Sequence, residues 1–217
     1  MRRPRRVLAV GGLLGMLAAG GCTLLPSAGS RSYHELRDLA PLPSASQRRH
    51  VRTGPVLLIA VNQSSALYES SGIVYSRGEA GLSYYQLASW TERPARRLGL
   101  LVQRRLSASA AAGGLGIADA ALDTSGIRGD WILGLRLAQL HHDTTTQPHR
   151  AVIVVEADLL DWNERRILDR TVFSATEPLA TEDVQSAVAA MNRGLTAVLD
   201  RIEGWVAARA GSRRDPR

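Results

Sequence analysis

The sequence predicts an α+β fold in which an antiparallel β-sheet of about five to six strands carries two main helices. Large apolar residues alternate with smaller or polar ones over 131–137 and 153–159, which is typical of strands with one buried face. An apolar stripe with steps of four and three runs through 181–208, and a shorter stripe runs through 91–108. These segments are long enough to bury one core of ordinary domain size.

The strands follow from local patterns. The run at 56–61 is apolar throughout, so it is expected to form a strand that is buried on both faces. The segments 33–37 and 73–75 are predicted as short strands, and 167–174 is predicted as the strand after the second turn. Turn residues at 142–148 and 161–164 join the last three strands into an antiparallel meander, in which Glu156 and Asp158 are candidate cross-strand partners of Arg136. The predicted strands are 33–37, 56–61, 73–75, 131–137, 153–159 and 167–174.

The first helix is predicted to begin near Thr91, because Pro94 is tolerated in an opening turn. Its apolar face is Leu98, Leu101, Val102 and Leu106. The arginines that project elsewhere admit two interpretations, a solvated face or a binding patch, and the first is preferred. These arginines are Arg93, Arg96, Arg97 and Arg104.

The second helix is predicted to begin with the acidic pair Glu182 and Asp183, which suits the positive end of the helix dipole. A stripe of this length could be a coiled-coil seam, but with one such helix it is more often a face packed on a sheet. The stripe consists of Val184, Val188, Met191, Leu195, Val198, Ile202 and Trp205.

The charge is concentrated at the N-terminus. The whole chain carries a formal +7, but four arginines lie in the first six residues without an acid, and removing residues 1–21 leaves 23 basic against 20 acidic side chains. No basic stripe interleaved with aromatic residues remains, so a nucleic-acid partner is not predicted. The early arginines instead precede an uncharged run, Val7–Gly21, as in a secretory signal peptide.

Cys22, the one cysteine in the sequence, directly follows the small residues Ala18–Gly21, an arrangement that resembles the lipobox of bacterial lipoproteins. Lipidation of Cys22 is predicted, although cleavage by an ordinary signal peptidase with an incidental cysteine is the alternative. Thr23, where inner-membrane lipoproteins often carry Asp, favours the outer membrane by the same resemblance. The predicted organisation is a signal peptide (1–21), a lipidated N-terminus and linker (22–32), an α/β domain (33–209) and a disordered basic tail (210–217).

No catalytic, cofactor-binding or metal site is predicted. The glycine cluster at 113–116 follows a helix, whereas a phosphate cradle precedes one. Serines 64, 65, 70 and 71 lack a nucleophile elbow. His141, His142 and His149 flank a turn with Asp143 and could share a metal ion, but a hairpin tip of this kind is usually solvated polar surface.

An aromatic cluster at Tyr84, Tyr85 and Trp90 admits two interpretations. The first is core packing beside the first helix, and the second is part of a surface for a partner or lipid. Core packing is the preferred interpretation, and the surface is retained as the candidate site.

Taken in order, these elements resemble the ABC-type transport auxiliary lipoprotein family. The residues that carry the resemblance are Tyr33, Leu36, Leu67-Tyr68, Ile73-Val74-Tyr75, Tyr84-Tyr85, Trp90, Pro94, Ala189, Met191, Asn192 and Leu195. The resemblance implies that both helices pack on one face of the sheet and that a homo-oligomer can form, because some relatives form rings. It also implies a role beside Mce-type transporters, in which an ABC permease and ATPase work with a periplasmic lipid-shuttling protein.

The hypothesis is therefore a non-enzymatic accessory subunit, anchored by lipid to the periplasmic face of the outer membrane, for transport of phospholipid or other hydrophobic molecules. One alternative is a lipid-tethered periplasmic hydrolase, which activity lost on changing Ser, His or carboxylate residues would favour. The other is a structural envelope lipoprotein without a transporter, which neighbouring genes for an ATPase and permease would argue against.

Overall fold

The structure, a computed structural model, describes residues 30–41, 54–78, 81–111, 115 and 117–212. The predicted signal peptide, Cys22, the glycines at 113, 114 and 116, and residues 213–217 lie outside the described residues. The chain divides into two units, residues 1–30 and 31–217, and the described fold is that of the second. No helix in its described part is long and apolar enough to cross a membrane.

The described chain contains eight strands and two α-helices, which confirms the α+β class with more strands than expected. The strands are β1 (Ser32–His34), β2 (Val56–Val61), β3 (Gly72–Ser76), β4 (Leu82–Trp90), β5 (Asp119–Leu122), β6 (Trp131–Asp143), β7 (Arg150–Asp161) and β8 (Arg166–Pro178). The helices are α1 (Pro94–Ala111) and α2 (Val184–Ser212).

The sheet is mixed, which corrects the prediction of a purely antiparallel one. Its strands run β1-β4-β3-β6-β2-β5, with β7 and β8 added beyond β6. The predicted meander of β6, β7 and β8 is antiparallel, but β6 pairs with both β2 and β3 in parallel. These parallel partners come from distant segments, so no local turn in the sequence reveals them.

One edge of β6 is shared by two strands. Residues Trp131–Leu135 pair with β2, and His142 pairs with Tyr75 of β3. Between these pairings the hydroxyl of buried Ser64 accepts a hydrogen bond from the backbone N–H of Leu137 at 3.2 Å. The loop after β2 therefore closes the gap between the two halves of the sheet.

Both helices pack on the same face of the sheet. Helix α1 contacts β2, β5 and β6, helix α2 contacts β6, β7 and β8, and the helices contact each other. The predicted apolar face of α1 and the stripe of α2 are confirmed, because their residues are buried or packed against the core. Leu57, Leu133 and Ile153 are fully buried beneath them.

The helix ends differ by a few residues from the prediction. Helix α1 begins at Pro94, and α2 begins at Val184, directly after Asp183, whose carboxylate accepts the N–H of Ser186 at 2.7 Å. That bond satisfies one of the amides that every helix leaves unpaired at its start. Helix α2 continues to Ser212, which is three residues into the predicted tail.

Candidate interaction surface

The three aromatic residues of the candidate site do not form one surface. Trp90 is only 3% exposed and belongs to the core, whereas Tyr84 is 39% exposed and Tyr85 is partly buried against the core. Because successive side chains of a strand alternate between the two faces of a sheet, Tyr84 and Tyr85 of β4 lie on opposite faces. Of the three, Tyr84 alone is open to a partner.

Tyr84 is held in place by the loop before β3. A Cβ atom on Gly72 would lie 2.3 Å from the Tyr84 ring, so the ring lies directly against the glycine backbone. Its hydroxyl donates to the carbonyl of Leu67 at 3.3 Å and accepts from the hydroxyl of Ser70 at 3.1 Å. Tyr84 therefore presents a fixed ring edge to solvent.

Tyr85 begins a chain of polar contacts that crosses the fold. Its hydroxyl lies 2.6 Å from Nδ1 of His142, whose Nε2 lies 3.0 Å from Nδ1 of His149. Nε2 of His149 then faces Glu182, 3.7 Å away, just before α2. When both rings are neutral and Tyr85 donates, each ring accepts at Nδ1 and carries its proton at Nε2, so all contacts agree in direction.

Burial sets the protonation of Tyr85 and His142. It lowers the pKa of His142 to about 4, with help from the neighbouring His149, and it raises the pKa of Tyr85 to about 12, with help from Tyr75 and Asp183. His142 is therefore neutral and Tyr85 protonated at neutral pH. Hydrogen bonds therefore join β4, β6 and the turn before β7, and His149 faces Glu182 just before α2.

The expectation that this histidine cluster is solvated surface is wrong for His142, which is 1% exposed. The sequence places it at a hairpin tip, but β6 extends to Asp143, so His142 still lies within the sheet. Within the described ranges, no group of three histidine, cysteine, aspartate or glutamate residues could hold a metal ion.

The serines considered as nucleophiles have structural partners. Ser64 bonds the backbone of β6, and the hydroxyl of Ser70 contacts Leu67 and Tyr84. Neither hydroxyl has a histidine partner in the described part of the chain, and such a partner is what would activate it.

The face of the sheet opposite the helices alternates apolar and charged side chains. Arg136 pairs with Glu156 across β6 and β7, as predicted, with Nε 2.8 Å from the carboxylate. Asp158 pairs instead with Arg170 of β8 at 3.0 Å. Val172, opposite Glu156, is largely exposed, so this face is open but divided by ion pairs.

A charged groove lies where the segment after β1 crosses α1, and sequence reasoning missed it. The groove has a volume of about 360 Å³. Its lining includes Glu35, Arg37 and Asp38 from the segment, and Arg97 and Arg104 from the helix. The arginines had been assigned to a solvated face, and α1 alone gives no sign that the segment 35–40 lies against them.

Beside the groove, Arg105 is 5% exposed and forms an ion-pair network that reaches the surface at Asp200. Its Nε and Nη2 donate to the two oxygens of Asp38 at 2.9 and 2.8 Å. Nη1 pairs with Asp200 of α2 and lies 3.8 Å from Glu203. Arg105 therefore links the segment after β1 to both helices.

A family model described as the ABC-type transport auxiliary lipoprotein component matches residues 37–203, which is most of the chain. No curated protein matches the chain in sequence.

Two crystal structures share the fold. A protein of family DUF330 from Xanthomonas campestris is 21% identical with a TM-score of 0.71, and the match covers 84% of this chain and 98% of that one. An uncharacterized protein is 15% identical with a TM-score of 0.55, and the match covers 82% of this chain and 99% of that one. At these identities the likeness shows the fold alone.

Proposed function

The chain belongs to the ABC-type transport auxiliary lipoprotein family, and we propose that it serves an Mce-type transporter as an accessory subunit, anchored by lipid to the periplasmic face of the outer membrane. The single observation that carries this proposal is the family match over 37–203 behind the lipobox-like sequence Ala18–Cys22.

The anchor follows from the N-terminal sequence. Cleavage before Cys22 would leave this cysteine as the first residue, where acylation adds several chains. One chain binds a membrane only marginally, but two or more hold it firmly. The first strand begins ten residues later, at Ser32, so the chain between the anchored residue and this strand can span at most about 35 Å. Thr23 in the second position supports the outer membrane as the destination.

A non-enzymatic role fits the family and the side chains of the described domain. The hydroxyls of Ser64 and Ser70 form structural hydrogen bonds, and the polar contacts from Tyr85 through His142 to His149 are largely shielded from solvent. A rigid module held by one continuous core suits a docking part, because it presents surfaces at fixed positions without loss of conformational entropy on binding. The partner would be the periplasmic lipid-shuttling protein of the transporter, together with its permease and ATPase.

The proposal is tested by purifying the intact lipoprotein from membranes with mild detergent and identifying the bound proteins and lipids by mass spectrometry. We expect a lipid-shuttling protein, a permease and an ATPase of one Mce-type system, together with phospholipid. The matched control is Cys22→Ser, which removes the acylated residue and is expected to lose the transporter subunits. Recovery of the wild-type protein without any transporter subunit would overturn the assignment.

A further inference from the structure

The groove between the segment after β1 and helix α1 carries positive charge that its own carboxylates do not neutralise. Each carboxylate of its lining already has an arginine. Asp38 is held at both oxygens by Arg105, and Glu35 is held by Nη2 of Arg97 at 2.5 Å. Neither acid is therefore open to bind a cation.

Arg97 is likewise fully engaged. Its Nη1 lies 3.5 Å from Glu92 and its Nε donates to the carbonyl of Leu36 at 3.0 Å, in addition to the contact with Glu35. Arg97 thus fixes the floor of the groove and contributes little free charge.

Two arginines of the lining, Arg37 and Arg104, remain without a close carboxylate among the described residues. Arg104 has no ion pair with any carboxylate of the described residues. Arg37 has one long contact, 3.8 Å from Glu35, a carboxylate already held more closely by Arg97, and its side chain is largely exposed. Both line the groove, Arg37 from the segment after β1 and Arg104 from the helix.

The charge continues along α1. Arg93 and Arg96 are exposed, and among the described side chains neither has an ion pair. Arg93 directly precedes α1, and Arg97 and Arg104 follow at spacings of four and seven residues, so the three lie along one side of the helix. The acids that border this face are Glu35, Glu92 and Asp38, with Asp200 and Glu203 at the far side of Arg105.

The shape and lining indicate the ligand. A volume of about 360 Å³ lies at the small end of the range of ligand sites. Among the described residues, Ala40 and Leu101 are the apolar ones of the lining, so this part of the groove offers an acyl chain little apolar surface. Arginine guanidinium groups match phosphate oxygens in charge and in hydrogen-bond geometry. We propose that this groove binds the phosphodiester of an anionic phospholipid headgroup, with Arg37 and Arg104 as its charged contacts.

The position of the groove in the chain suits a membrane lipid as the source. Glu35, at its edge, follows the proposed anchor residue by about 13 residues, which span at most about 45 Å. Tethering raises the effective concentration of the headgroup at the groove, so a modest affinity, measurable with a soluble headgroup, is sufficient. The inference does not depend on a transporter, because it concerns this chain and a lipid alone.

The test begins with the purified mature protein in dodecyl maltoside, titrated calorimetrically with glycerophosphoglycerol, a soluble headgroup. The groove variant is Arg37→Gln/Arg104→Gln. The control is Arg128→Gln/Arg150→Gln, which removes two exposed arginines outside the groove. We expect binding to weaken at least tenfold in the groove variant and to be unchanged in the control, with equal melting temperatures. No binding by the wild type, or equal losses in both variants, would overturn the proposal.

The second step determines whether the bound phosphate group belongs to a lipid headgroup or to free inorganic phosphate. Arginine modification by phenylglyoxal is followed at Arg104 by mass spectrometry, with the acylated protein in vesicles of phosphatidylcholine with or without phosphatidylglycerol. Protection by phosphatidylglycerol supports a lipid headgroup. Equal protection by inorganic phosphate in phosphatidylcholine vesicles would overturn the lipid assignment. So would a groove variant that binds headgroup normally but loses a transporter subunit, since the groove would then be a protein contact.

Discussion

The hydroxyl of Tyr85 lies 2.6 Å from Nδ1 of buried His142, and this contact joins β4 to β6 at the one register where β3 also reaches β6. The same histidine is bonded through Nε2 to His149. Because both ring nitrogens are used and the ring is shielded from water, protonation of His142 would add a charge that the folded state cannot hydrate.

The first prediction concerns pH. The pKa of His142 is about 4 in the folded protein and about 6.5 when unfolded, so the unfolded state binds the extra proton between these values. Stability contributed by neutral His142 is therefore complete above pH 6.5 and is lost as the pH falls toward 4, with an expected loss of about 3 kcal/mol. Urea unfolding across this window should show a flatter pH dependence for His142→Gln. Identical slopes in the two proteins would contradict this role.

The second prediction concerns Arg105. Its removal leaves Asp38 as a buried carboxylate without its bidentate partner, so Arg105→Met should lower the free energy of unfolding by about 3–5 kcal/mol. Burial alone would lower the pKa of Arg105, but the hydrogen bonds that it donates to Asp200 and Asp38 outweigh this and raise it, so the charge persists at every working pH. The double variant Arg105→Met/Asp38→Asn should recover part of the loss in urea unfolding. A single variant as stable as the wild type would refute the network.

The third prediction distinguishes core from surface for the aromatic cluster. Trp90→Ala empties a buried site and should cost about 3–5 kcal/mol in unfolding free energy. Trp162 is 61% exposed at the turn between β7 and β8, so Trp162→Ala should change stability by less than about 0.5 kcal/mol. Thermal or chemical denaturation of the pair checks this. Equally small losses of stability in both variants would show that Trp90 lies at the surface and not in the core.

The fourth prediction concerns the contact between α1 and β2. A Cβ on Gly99 would lie 2.5 Å from Cγ2 of Val61, so Gly99→Ala should destabilise the protein by about 1 kcal/mol despite the better helix propensity of alanine. Gly204 in α2 has open space at the same point, and Gly204→Ala should stabilise it by about 0.5–1 kcal/mol. Stabilisation by both substitutions would show that α1 lies farther from the sheet.

Patterns within one element were sufficient for much of the fold. The spacing of Leu98 and Leu106 located the buried face of α1, and the strand alternation located β6 and β7 together with the Arg136–Glu156 pair. Strand β5 was missed, because four residues with two alanines give no periodic signal. Its parallel partner β2 lies about 60 residues earlier in the chain, which sequence patterns do not connect.

The polar features were harder to predict than the core. The partners of His142 come from β4 and from the turn before β7, and those of Arg105 come from the segment after β1 and from α2. Taken singly, each of these residues is of a type that is usually found on a solvated surface. The buried histidine contacts and the arginine groove each form only because segments that are distant in the sequence pack together in the fold.

The most direct test of the account is the mass of the N-terminal peptide of the mature protein purified from membranes. A chain that acts as an envelope subunit through its tether should begin at residue 22, with Cys22 carrying a diacylglyceryl group on sulfur and an acyl chain on nitrogen. A chain that begins at another residue, or an unmodified thiol at Cys22, would contradict the account.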